Sequence, residues 1–284
     1  MKPSKDRIAQ VHDLLTLRSG VTHAESMGSP STPVVVMVSG ATLPMAVWIP
    51  LAERLNAKGL RTLRYDLPGR GHTPLDGRDG SFEDHLAQLT DVIETVKSSP
   101  GIHLVGLASG ALVVAEYINR NPDQISSCTL IAPDGSETKF TIREKLLNNR
   151  VVGPLLFRIV GSRSLLSRIP RYAGSKTVRH FVRELLEFSL TASGFSTAVR
   201  STVRTFPLHS GDQLYTALAR SNTPVLVVWG AKDRITPPTA ADAMRSLYGH
   251  ESVRLMSDVG HLPFVEEPET VANLIYHHVY SSVA

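Results

Sequence analysis

The chain has 284 residues, 42% hydrophobic and 20% charged, with 30 Lys and Arg against 26 Asp and Glu for a formal net charge of +4. That balance fits one large α/β domain with an insertion, or two small domains. A single cysteine, Cys128, excludes an internal disulfide framework and fits a reducing compartment.

The N-terminal stretch "MKPSKDRIAQVHDLL" starts basic but has no long apolar core, so it does not read as a signal peptide. No run approaches the ~18 apolar residues of a membrane span. A cytoplasmic protein is expected, with peripheral attachment to a membrane surface left open.

Pro33 to Val38 is a continuous β-branched run, the pattern of a strand buried on both faces. Helical spacing follows through Trp48, Leu51, Ala52 and Leu55 and closes at Gly59. Leu60 to Tyr65 predicts a short strand, and "DLPGRGHT" (66–73) is turn chemistry. Phe82 to Val96 has helical spacing, Ile102 to Leu107 reads as a strand, and a helix runs from Ser109 to just before Asn121-Pro122. Cys128 to Ile131 predicts a buried strand carrying an inert thiol. Further on, Pro224 to Trp229 is another buried strand, followed by a helix over 237–247, a strand over 253–256 and a final helix over 267–280. The alternation argues for a mainly parallel sheet covered on both faces.

Residues 136–211 interrupt this rhythm with helix-like apolar stretches, among them "VVGPLLFRIV" and "FVRELLEFSL", and no convincing strand. Thirteen basic and four acidic side chains give this segment a net +9, so the remainder carries −5 within the chain total of +4. The expected organisation is a core of residues 1–135 and 212–284, with a basic, all-helical cap over 136–211.

"GLASG" (106–110) has the frame of a nucleophile elbow, a sharp strand-to-helix turn that lifts one side chain above a sheet. Gly106 and Gly110 flank the lifted position because larger neighbours collide in so tight a turn. The lifted residue is Ala108, whose methyl group cannot attack. Shifting the frame to Ser109 would put Leu107 and Ala111 where glycines belong, so Ser109 is not the nucleophile. As the first helical residue, Ser109 instead offers a backbone N–H where negative charge would develop.

Five motifs in chain order, "VSGAT", "YDLPGRGHT", "GLASG", "WGAKD" and "DVGHLPF", closely resemble those of the α/β-hydrolase fold family over nearly all of the chain outside the insertion. The resemblance implies a mostly parallel eight-stranded sheet with helices on both faces and a helical cap after strand six. It places the triad acid at Asp233, the general base at His261 and the nucleophile at Ala108, with oxyanion donors at Ser109 and Ala41. In much of the family the loop after the third strand begins His-Gly; here it is Ser39-Gly40, which leaves the bracing of that loop open.

Structural roles compete with these assignments. Asp233 could cap a turn and His261 could be a packed loop residue. Asp134 is an alternative acid, but "PDG" is a strong turn signal. Asp66 and Arg70 are expected to brace the "GRGHT" turn, and His72 to be structural.

Serine to alanine is the smallest change that abolishes attack while leaving the turn intact, and the other motifs remain. The chain is therefore expected to be a serine hydrolase of the esterase and monoacylglycerol-lipase type, inactive because of Ala108. Its expected substrate is an apolar ester, lactone or thioester. The alternatives are a natural ligand-binding chain without catalysis and a carbon–carbon bond hydrolase. Haloalkane dehalogenase and epoxide hydrolase chemistry needs a carboxylate at 108, a larger departure. No metal or organic cofactor is implied. The basic cap suggests an anionic substrate, a carrier protein or an anionic surface; nucleic acid is not expected.

Overall fold

A computed structural model describes residues 5–135, 149 and 161–281. A short helix α1 (Lys5–Ile8) leads into the antiparallel hairpin β1 (Asp13–Leu17) and β2 (Gly20–Met27). Next come β3 (Val34–Val38), α2 (Ile49–Ala57), β4 (Arg61–Tyr65), α3 (Phe82–Glu94), β5 (Ile102–Leu107), α4 (Ser109–Arg120) and β6 (Ser127–Ile131). Among the described residues, five helices precede the next strand: α5 (Ser162–Leu166), α6 (Ile169–Tyr172), α7 (Lys176–Thr191), α8 (Phe195–Thr205) and α9 (Gly211–Leu218). The chain closes with β7 (Val225–Gly230), α10 (Ala241–Tyr248), β8 (Val253–Met256), α11 (Pro263–Glu266) and α12 (Pro268–Ser281).

The eight strands form one sheet in the order β1-β2-β4-β3-β5-β6-β7-β8. Only the pairings of β2 with β1 and β4 are antiparallel. Every residue of β3, β5, β6 and β7 is buried, because helices cover both faces of a parallel sheet. One group of helices joins α2, α11 and α12, and another joins α3, α4 and α9. Full burial of each valine of β3 contributes roughly 1.5–3 kcal/mol, which is why an uninterrupted apolar run can occupy the middle of the sheet. Trp48 stacks on Phe264 with ring centroids 4.3 Å apart, pinning the segment before α2 to α11.

Local signals set the helix ends. Ser81 caps α3 by accepting the Asp84 N–H, and Asp84 returns the interaction to the Ser81 N–H. Asn121 follows the last residue of α4, ahead of Pro122. The expected helix over 237–247 opens with a 3₁₀ turn at Pro238–Ala240 before α10 begins.

The hairpin β1–β2 has no counterpart among the elements read individually from the sequence. β1 lies at the sheet edge and is largely exposed, so it lacks the apolar run that marks the central strands.

Of the segment expected as a cap, the described residues between 161 and 211 hold helices and no strand. Leu165, Phe181 and Leu185 are buried there, and Leu166 and Phe188 pack against the core. Leu146, Leu147, Leu155, Leu156, Phe157 and Ile159, with the basic residues Lys139, Arg143, Lys145, Arg150 and Arg158, lie outside the described residues. Among the described residues no helix is long and apolar enough to cross a membrane.

Candidate active site

The loops that leave β3 through β8 carry the residues singled out in the sequence. All six of those strands run parallel, so their carboxyl ends meet at one edge of the sheet, where open α/β sheets build their ligand sites.

Ala108 occupies the turn between β5 and α4 with φ +49° and ψ −116°. For a residue with a Cβ this backbone costs on the order of 1–3 kcal/mol, and surrounding structure must impose it. It does so here from two sides. The Ala108 N–H donates to Ile131 O at 2.9 Å, and Ala108 O accepts the N–H groups of Ala111 at 3.0 Å and Asp134 at 3.2 Å. Both flanking glycines are required by space. A Cβ on Gly106 would lie 2.7 Å from Ala111 Cα, and one on Gly110 would lie 2.5 Å from Val38 O.

Gly40 faces the elbow: a Cβ built on it would lie 3.6 Å from the Ala108 Cβ. The loop after β3 is braced without the familiar histidine. Ser39 Oγ accepts the Trp48 indole N–H at 2.9 Å, and Arg70 Nε donates to Ala41 O at 3.0 Å. Arg70 is fully buried and has no carboxylate partner among the described residues. Its other bonds run to Pro68 O at 2.7 Å and to Thr202 Oγ1 on α8 at 2.8 Å. Burial pushes its guanidinium down to about 9. Arg70 thus ties its own turn to both Ala41 and the helices inserted after β6, a longer reach than bracing the "GRGHT" turn alone.

Asp233 follows β7 and His261 follows β8. His261 Nδ1 lies 2.8 Å from Asp233 Oδ2, and both side chains are buried. Asp233 divides its oxygens between two tasks. Oδ1 accepts the N–H groups of Ile235 at 2.7 Å and Thr236 at 3.0 Å, which closes the turn. Oδ2 faces the imidazole. Turn closure and a charge partner for histidine are therefore compatible roles of one carboxylate. Burial alone would raise this carboxyl, but His261 and the donors around it outweigh that and hold it below the usual carboxylate range. His261 Nε2 makes no hydrogen bond to the described residues. The pair can accept a proton at Nε2 and stabilise the resulting imidazolium.

Asp134, the alternative acid, turns its Oδ1 to the N–H of Gly135 at 3.0 Å, and its carbonyl accepts the Tyr215 hydroxyl at 2.6 Å. Its carboxyl is raised by burial. His72 donates its N–H to Asp66 Oδ2 at 3.0 Å, and its ring Nε2 lies 2.9 Å from Ala9 O, both structural contacts.

Two further residues of the site carry no signal in the sequence motifs. Thr236 Oγ1 lies 2.9 Å from Asp233 Oδ2 and 3.1 Å from Ala132 O, joining the acid loop to the end of β6. Tyr172, on α6, accepts the His261 N–H on its carbonyl at 2.8 Å, and its ring stands edge-on to the imidazole at 5.4 Å. Its hydroxyl lies 3.3 Å from Thr42 Oγ1. Tyr172 therefore links the histidine loop, the loop after β3 and the inserted helices. Among the described residues no group of three or more His, Cys, Asp or Glu is placed to hold a metal.

A family model described as the alpha/beta hydrolase family matches residues 35–274. Among curated proteins, the chain is 22% identical over 256 residues to the monoacylglycerol lipase ABHD6 of Bos taurus, covering 86% of this chain and 74% of the relative. It is 23% identical over 273 residues to lipase 3 of Moraxella sp. (strain TA144), covering 91% and 81%. Among solved structures, a thermophilic esterase from Thermogutta terrifontis superposes with a TM-score of 0.78 at 22% identity, over 97% of this chain and all of the other. With the family's frame matched across most of its length and the strand order to go with it, the chain belongs to the alpha/beta hydrolase family.

Proposed function

We propose that this site is that of a carboxylic ester hydrolase, acting on an apolar ester, lactone or thioester, in which Ala108 has removed the covalent step. The observation that carries this reading is the buried His261–Asp233 pair, its Nε2 unbonded among the described residues, at the same edge of the sheet as a strained elbow that holds only a methyl group. A turn at φ +49° is costly to maintain, and here its alanine presents no reactive atom. The names of the lipase and esterase relatives support the same reaction class.

In the Ala108→Ser form, His261 Nε2 takes the hydroxyl proton as Oγ attacks the carbonyl carbon. The backbone N–H groups of Ser109 and Ala41 receive the developing oxyanion, and Asp233 steadies the imidazolium. The imidazolium protonates the leaving alcohol or thiol; water, deprotonated by the same nitrogen, then releases the acid. The helices between β6 and β7 serve as a cap, and their basic excess draws a substrate that carries negative charge. In the chain as it stands the sequence stops at binding. Ala108 itself favours a second reading, a ligand-binding chain with no catalytic role.

Hydrolysis of a p-nitrophenyl ester series and labelling by a fluorophosphonate decide between the two. Removing a triad nucleophile costs on the order of 10⁶ in kcat, so Ala108→Ser should bring activity from background to a readily measured rate and label at residue 108. A folded Ala108→Ser protein that neither labels nor turns over any ester, lactone or thioester rejects the hydrolase reading.

A further inference from the structure

A cleft of about 360 Å³ lies between the inserted helices and the loop after β7. It is lined from one side by Arg171 and Arg179 and from the other by Lys232, Asp233 and Arg234. Four of these five side chains are cationic. The fifth, Asp233, has its carboxylate oxygens hydrogen-bonded to His261, Ile235 and Thr236, so it does not pair with them directly, and the five side chains together stay strongly positive.

The guanidinium groups are held by their inner nitrogens. Arg171 Nε donates to Arg234 O at 2.9 Å, and Arg179 Nε donates to Ala173 O at 2.7 Å. Their terminal nitrogens and the Arg234 side chain make no hydrogen bond to the described residues. Among the described residues only Lys232 of the four has an acidic partner, Asp258 at 2.6 Å, and that pair is exposed. Exposed pairs of this kind are screened by solvent and contribute little, so Lys232 can be redirected at small cost. Backbone carbonyls thus fix the direction of two forks while leaving their outer donors unused. Planar forks with free outer donors suit phosphate and carboxylate oxygens.

We propose that this cleft is a binding site for a phosphomonoester group. A phosphoryl group carries about −1.5 to −2 charge and three acceptor oxygens, a closer match to three arginines and a lysine than a single carboxylate. The volume falls within the roughly 300–1,000 Å³ of small-ligand pockets, leaving space for the organic part that bears the phosphate. Occupation would join α6 and α7 to the loop after β7 through the anion. Arg171 precedes Tyr172, whose carbonyl holds the His261 N–H, and Arg234 follows Asp233, so the bound group braces the acid–base pair from outside. Binding at this site does not depend on ester hydrolysis and is tested on the Ala108 chain as it stands.

The test is calorimetric titration with glycerol 3-phosphate and with inorganic phosphate in low-salt, phosphate-free buffer, alongside flotation with phosphatidylcholine vesicles with and without phosphatidate. Saturable 1:1 binding of a soluble phosphate, or phosphatidate-dependent flotation, supports the site and identifies a free or a lipid-borne source. Arg234→Glu, at an exposed side chain with no hydrogen bond or ion pair to the described residues, should weaken that binding tenfold or more, and Arg234→Ala should do so to a smaller extent. Arg220→Glu makes the same charge change at an exposed residue before β7, at the opposite end of that strand from the cleft, and should leave affinity within about twofold. Circular dichroism confirms that each variant is folded. Absence of binding in all arms overturns the proposal. Equal losses from Arg220→Glu and Arg234→Glu also overturn it, because they would show a diffuse field in place of a site.

Discussion

His23 Nδ1 lies 2.7 Å from Asp66 Oδ2, with both side chains buried, which makes a second His–Asp pair beside that of His261 and Asp233 at 2.8 Å. The two differ at the other ring nitrogen. His23 Nε2 accepts the His12 N–H at 2.8 Å, so the ring must be neutral with its proton on Nδ1. His261 Nε2 is unbonded among the described residues. A closed pair holds structure; an open pair can move a proton. Asp66 also accepts the N–H groups of Met45 at 2.7 Å and His72, so the closed pair gathers the hairpin, the segment before α2 and the turn after β4 around one carboxylate.

His23→Ala should therefore act on stability and not on chemistry. It leaves a buried carboxylate short of one donor and the His12 N–H without an acceptor, a loss of about 3 kcal/mol. Urea unfolding measures it. A loss under about 1 kcal/mol would mean that water replaces the ring freely and the pair is not a structural tie.

The acid is identified in an Ala108→Ser background. Asp233→Asn should lower kcat by about 10⁴, since the amide no longer favours the tautomer with Nε2 free to accept. Asp134→Asn should change kcat little, because that carboxyl is spent on the Gly135 N–H. The reverse ranking would move the acid to the end of β6.

Buried neutral histidines set the acid limit of the fold. Burial pushes His85 down to about 3 and His103 well below its ordinary value; His103 sits between Ser127 Oγ at 2.6 Å and Thr129 Oγ1 at 2.9 Å. The folded state refuses a proton that the unfolded chain accepts near pH 6.5. Their contribution is thus complete above that pH and is lost as pH falls toward 3, by about 1.4 kcal/mol per pH unit for each ring. His85→Gln should reduce the pH slope of unfolding free energy by about one proton between pH 6 and 4. An unchanged slope would show that His85 titrates normally in the folded protein.

The central strands were legible because burial on both faces leaves an unbroken apolar run, as in Val34 to Val38, and Gly106 and Gly110 mark the elbow by the space they must leave. The β1–β2 hairpin escaped because an exposed edge strand needs no such run. Asp233 and His261 stood out in their loops, and their hydrogen bond follows from the strand order. Tyr172 did not, because it holds the His261 loop through its backbone carbonyl, a group every residue has. Arg70 looked like a local brace since nothing in "GRGHT" records that Thr202, 132 positions later, lies against it.

The inserted helices are expected to recruit negatively charged substrate. The observation behind this is the net +9 of residues 136–211 against −5 elsewhere. A field from one face raises encounter rates and weakens with salt, as the screening length shrinks to about 8 Å near physiological ionic strength. In the Ala108→Ser background, kcat/KM for an anionic ester should fall as salt rises, while a neutral ester of equal length is barely affected. Combined reversal at Arg163, Arg168 and Arg171, close together on α5, α6 and the turn between them, should reproduce that fall at low salt and flatten the salt dependence. The same reversal removes one wall of the phosphomonoester cleft, so Arg163→Glu alone, which lies outside that cleft, separates long-range steering from local binding. Steering predicts a partial fall in kcat/KM for the anionic ester with Arg163→Glu and no change in phosphate affinity. If anionic and neutral esters respond alike to salt and to reversal, the charges are a solvated face and attract no substrate.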